Sequence, residues 1–143
     1  MSDAAGIVVL VGRVLFVVVF IYSGLGFHVR LSKQAEQYAG SAGFPVPAVA
    51  GWPTGLWLTL GGLSVALGVW PDVGALMIGV FVTLAAAGFH RFWELDDPQQ
   101  KMTQNQLFGR NLIALGGVLM MFGFFASAGE GLRYTITAPL FSF

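Results

Sequence analysis

The chain has no cysteine in its 143 residues. That absence excludes disulfides, thiol redox catalysis, lipoprotein anchoring through cysteine and Cys-ligated metals. Charge is scarce too. Asp, Glu, Lys and Arg make up 10% of the residues, where a soluble domain carries about 25%. Basic and acidic residues balance at 7 each, so the net charge points to no nucleic acid or other polyanion. Histidine occurs only twice, at His28 and His90. No Ser–His–Asp order, phosphate loop or HExxH motif is present. With two histidines and no carboxylate cluster inside the apolar stretches, a full metal shell is hard to build, and no metal site is expected. Met1 to Ile7 lacks a basic region, and the first apolar run carries Arg13, so that run reads as a retained helix and not a cleaved signal peptide.

What the chain has in abundance is apolar residue, 56% of the total. It is concentrated in four runs, about residues 6–27, 52–70, 73–92 and 107–128, followed by a tail at 129–143. At ~1.5 Å per residue, a run of that length matches a ~30 Å hydrocarbon core. The runs are too long and too unalternating for barrel strands. The expectation is all-α: one integral membrane domain, a four-helix bundle. Pro71-Asp72 is read as the whole turn between runs 2 and 3, which makes those helices antiparallel neighbours. In the long first loop, Leu31, Ala35, Tyr38 and Ala42 recur at helical spacing, predicting a short interfacial helix over 32–42 that Gly43 ends. Asp97-Pro98-Gln99-Gln100 reads as an N-cap, a first-turn proline and a glutamine at N3, starting a helix that leads into run 4.

Two phrases recur. Gly26-Phe27-His28 closes run 1, and Gly88-Phe89-His90 closes run 3. Leu60-Gly61-Gly62 with Gly68 lies in run 2, and Leu115-Gly116-Gly117 with Gly123 in run 4. The pattern suggests two copies of one hairpin, which would put both histidines at the same depth on the same side. The glycines are read as seams where helix backbones approach. Arg30, Lys33, Arg91, Lys101 and Arg110 fall in or beside the two long loops, and only Arg133 falls opposite. The positive-inside rule then places both loops in the cytoplasm and both termini outside.

Arg13, about seven residues into run 1, is an intramembrane charge and a functional candidate. The ordinary alternative is snorkelling, or pairing with Glu130 or Asp72. Trp52, Trp70, Trp93, Tyr38 and Phe92 are explained by an interfacial aromatic belt. Asn111 is expected to bond helix 3 or the loop, and Asp97 to serve as a cap.

From His90 onward the pattern becomes specific. His90-Arg91-Phe92-Trp93-Glu94, Asp97-Pro98, Phe108-Gly109-Arg110-Asn111-Leu112 and Gly116-Gly117 follow in order. Upstream stand Arg13, Tyr22-Ser23-Gly24, Gly43-Phe44-Pro45 with Pro47, and Gly61-Gly62 with Gly68. Together they resemble the DoxX family of small bacterial four-helix membrane proteins. Two features depart from that family. Leu58, Thr59 and Leu60 offer no acid where a glutamate is common, and His28 or Arg30 stands where a lysine is common at the end of helix 1. The resemblance implies a bacterial inner membrane and kinship with subunits of thiosulfate:quinone oxidoreductase. The expected function is an accessory, partner-binding subunit of a membrane redox assembly, non-catalytic alone. A quinone-reactive subunit is the alternative, with His28, His90, Arg91, Trp93 and Asn111 as contacts to the headgroup. A bis-histidine haem fits a two-fold pair in principle, but interfacial histidine at helix ends is ordinary, and no haem is expected. A small-solute transporter is the third reading, with Arg13, Ser64 and Thr83 as its few polar candidates. The loop-bearing end is expected to hold the function, because the other end has a short turn and two tails.

Overall fold

A computed structural model describes residues 1–143. The fold is all-helical, with five α-helices and no strand. The α1 helix, Asp3–Ser23, continues through a π-helical segment, Gly24–Val29. The α2 helix is Ser32–Ser41, α3 is Trp52–Leu67, α4 is Pro71–Phe89 and α5 is Pro98–Ala128. Short 3-10 turns lie at Pro47–Ala50, Phe92–Glu94 and Gly129–Gly131.

Three helical segments are long and apolar enough to cross a membrane: Asp3–Val29, Pro71–Glu94 and Pro98–Gly131. The expected fourth span, run 2, is not among them. Run 2 is cut short because Gly68 takes the left-handed conformation (φ 70°) and caps α3. With 16 residues, α3 reaches only about 24 Å. The turn is likewise not Pro71-Asp72. Gly68, Val69 and Trp70 make it, the Ser64 hydroxyl closes it by donating to the Val69 and Trp70 carbonyls, and Pro71 already opens α4. The expected start of the last helix is present. Asp97 accepts from the Gln100 N–H at 2.8 Å, and one helix of 31 residues runs from there.

The α1 helix packs on α3, α3 on α4 and α4 on α5. The core lies among them, built from Val17, Val65, Ile78, Val82, Val118 and Phe125. Close backbone approach makes the α1–α3 crossing. A Cβ on Gly24 would stand 2.8 Å from the Gly55 carbonyl, and one on Gly55 would stand 2.8 Å from the Gly24 carbonyl. Gly61 and Gly62 also lie in seams, against Met77 and Ile21. Gly116 and Gly123 do not; nothing lies within 4 Å of a Cβ built on either, so their expected seam is open. The two proposed hairpins are also unequal, since α5 is nearly twice as long as α3.

The α2 helix is the expected short one, with Ala35 and Ala39 buried beneath it. Gly43 follows at φ 74° and turns the chain away. Phe89 of α4 is then stacked between Tyr38 and Phe44, with ring centroids 5.9 and 5.2 Å away. That sandwich clamps the first loop over the end of α4.

Candidate functional site

The π-helical segment at the end of α1 turns His28 inward, leaving it 9% exposed. Its Nδ1 lies 2.5 Å from the Ala50 carbonyl and donates to it. The ring meets Phe27 and Phe81 edge-on. His90 caps the end of α4, with Nδ1 2.8 Å from Oε1 of Gln104 on α5. Both histidines line one cavity of about 220 Å³, together with Ser23, Phe27, Tyr38 and Phe81. A smaller space of about 90 Å³ lies beyond His28, under Phe44 and Leu84. On the outer side of Tyr38 and Phe89 is a more polar hollow of about 440 Å³, bordered by Arg91, Glu94, Gln100 and Gln104.

The chemistry follows from the ring nitrogens. With each Nδ1–H donating to an oxygen, a neutral imidazole keeps only Nε2 uncommitted, as an acceptor. Two such acceptors in an aromatic-walled cavity suit a ligand bearing two hydroxyls on a flat apolar ring. The volume decides the size class. Drug-sized pockets start at about 300 Å³, and 220 Å³ holds a single ring.

The sequence-derived contacts divide. His28 and His90 come together. Arg91 lies next door, where its guanidinium donates to the Ala42 carbonyl at 2.9 Å and to Glu94 at 3.2 Å, tying the second loop to the end of α2. Trp93 is half-exposed and packs edge-on with Phe92 and Phe108, outside the residues lining the cavity. Asn111 does not bond helix 3 or the loop; its amide donates to the Leu107 carbonyl one turn back in α5. Phe81 and Tyr38 are the wall residues that sequence reasoning passed over as ligand contacts. The signal was present in Phe81, a half-buried aromatic on α4 between the buried Ile78 and Ala85.

The opposite end is more built than expected. The tail from Leu132 folds back over it. The Ile136 and Thr137 N–H groups both donate to the Gly68 carbonyl, and the Thr137 hydroxyl accepts from the Trp70 N–H. Phe141 N–H donates to Oδ2 of Asp72 at 2.7 Å. Arg133 pairs with Asp3, bringing the tail beside the N-terminus. Arg13 is 2% exposed and pairs with neither Glu130 nor Asp72. Its Nη2 donates to the Tyr134 carbonyl, while Nε and Nη1 have no partner. Asp72 is fully buried, with Oδ1 unpartnered.

A family model matches residues 8–91, well over half of the chain. The match includes Arg13, His28 and His90 and stops before Trp93, Arg110 and Asn111. Searches of curated proteins and of solved structures found no match. The matched family is DoxX, and this apolar, all-helical membrane protein belongs to it.

Proposed function

We propose that the chain is an accessory subunit of a quinone-linked redox assembly in a bacterial inner membrane, and that the cavity shared by His28 and His90 takes the headgroup of a quinol. The observation that carries this reading is the pair of histidines on one ring-sized cavity, each with Nδ1 committed to an oxygen. The two quinol hydroxyls donate to the two Nε2 atoms. On oxidation those O–H bonds break, the protons pass to the imidazoles, and two electrons leave to a redox centre in a protein partner. The chain itself supplies binding and proton acceptance and holds no haem or metal. Arg91 braces the loops beside the cavity, while Trp93 and Asn111 lie outside its lining. The transporter reading is weaker, because the Ser64 and Thr83 hydroxyls are spent on backbone carbonyls.

In this reading α3 completes a fourth crossing, the two hairpins descend from one repeat, and both long loops face the cytoplasm. The Lys and Arg bias supports that orientation. Labelling of Ser41→Cys by an impermeant reagent in intact cells would overturn it; the cysteine-free background makes the experiment clean.

The test of function is affinity purification in mild detergent with an absorption spectrum, followed by quinol titration. The expected result is a co-purifying redox partner and saturable quinol binding that His28→Ala and His90→Ala each abolish. A Soret band belonging to this chain and lost in His90→Ala, or quinol binding indifferent to both substitutions, refutes the reading.

A further inference from the structure

The α1 and α5 helices do not close the bundle. Between them is a cleft of about 340 Å³, lined by Gly12, Arg13 and Phe16 on one side and Gly117, Met121 and Phe124 on the other. It lies at the tail-bearing end, away from the histidine cavity. Arg13 is the only charged residue lining it. Its guanidinium has one hydrogen bond, to a neutral carbonyl, and no carboxylate within salt-bridge distance. A buried cation without an anion is costly, and an intramembrane arginine without a counter-ion marks a site by default.

We propose that this cleft binds one anionic amphiphile, its oxyanion on an open edge of the Arg13 guanidinium, an unpartnered Nε or Nη1 together with the second hydrogen of Nη2, and its hydrocarbon chain along Phe16, Met121 and Phe124. Five observations select that chemistry. Nη2 forms a parallel pair of N–H groups with Nε on one edge and with Nη1 on the other, and Tyr134 takes only one of its two hydrogens, so one edge keeps two donors for the two oxygens of a carboxylate or phosphate. The remaining walls are apolar, so a free inorganic anion would gain nothing from them. The flanks of the cleft, with Val8, Leu15, Met120 and Phe124, are exposed on the surface that α1 and α5 turn to lipid, giving lateral access. Methionine forms part of the wall and repacks at low cost, which lets an occupant reach nitrogens now shut off from water. Gly12 leaves room, since nothing lies within 4 Å of a Cβ built there. The inference is independent of the quinol reading and uses none of its residues.

The experiment is thermal unfolding of the delipidated full-length protein in detergent, titrated with oleate, methyl oleate, phosphatidylglycerol, phosphatidylcholine and inorganic phosphate. Oleate or phosphatidylglycerol should raise the midpoint saturably, while methyl oleate, phosphatidylcholine and inorganic phosphate should not. The better of the two anionic responses identifies the source of the oxyanion. Arg13→Gln should weaken the response roughly tenfold to a hundredfold, the worth of a buried charge-assisted hydrogen bond. Should Arg13→Gln fail to fold, Gly12→Leu carries the test, because it fills the cleft in an accommodating helix position and leaves the arginine in place. It should abolish the response too. An equal response to methyl oleate, a response to inorganic phosphate alone, or a response that survives Gly12→Leu overturns the proposal.

Discussion

His28 and His90 share a cavity but not a structural burden. His28 is buried, and its Nδ1–H satisfies the carbonyl of the buried Ala50. Replacing it by alanine removes that bond and opens a hole, which should cost about 2–3 kcal/mol. His90 is half-buried and bonds a glutamine side chain that can find another partner. His90→Ala should cost about 1 kcal/mol or less. Thermal unfolding in detergent checks the difference. The midpoint should fall clearly for His28→Ala and barely for His90→Ala, while quinol binding is lost in both. Equal losses of stability would mean that the rings are structural equals and that the cavity is incidental to them. Arg13 shows how little a residue's identity says about its partner. Charge and depth marked it as unusual, but the group that answers it is a backbone carbonyl 121 residues away.

At the scale of elements, the glycines divide into two kinds. Gly55 lies where α1 crosses α3, and an added methyl would meet the Gly24 carbonyl and the Val29 side chain. Gly55→Ala must push two backbones apart, at a cost of about 1–3 kcal/mol. Gly116 and Gly123 face open space on α5. Alanine there should stabilise the helix by about 0.5–1 kcal/mol, because it gives up less backbone entropy. Midpoints that move the same way in all three variants would contradict this division. The end of α3 follows similar physics. Gly68 adopts a positive φ against Thr135 of the tail, so the helix stops where the tail has to pass.

At the scale of the whole molecule, the tail is a structural member. It binds Asp3, Arg13, Gly68, Trp70 and Asp72 through residues 133–141. Truncation after Gly131 removes the only hydrogen-bond partner of the Arg13 guanidinium. The truncated chain should unfold at a lower temperature. Adding Arg13→Met should recover part of the loss, because it replaces an uncompensated buried cation by an apolar side chain. In the intact chain the same substitution also gives up the bond to the Tyr134 carbonyl, so it should stabilise less than in the truncated chain. A double-mutant cycle on the midpoints decides this, and additivity of the two changes would show that the tail does not act through Arg13.

Composition and run length were enough to establish a helical membrane protein, because lipid admits few other backbones and a span has a required length. Local chemistry was equally legible. Asp97-Pro98 starts α5, Gly43 turns the chain after α2, and the spacing over 32–42 builds the short helix. The paired histidines could be read as belonging to one end, because both follow long apolar runs. Only the tertiary structure decided what they face. The π-helical segment rotates His28 inward, and the Phe89 sandwich lays the first loop over the cavity. The tail was illegible in sequence, since every one of these hydrogen bonds but the Arg133–Asp3 pair has a backbone group on at least one side, and backbone groups have the same chemistry at every residue. Their pairing depends on which groups the packed helices leave free, and Gly68 meets Ile136, Tyr134 meets Arg13 and Asp72 meets Phe141 only once the bundle has formed.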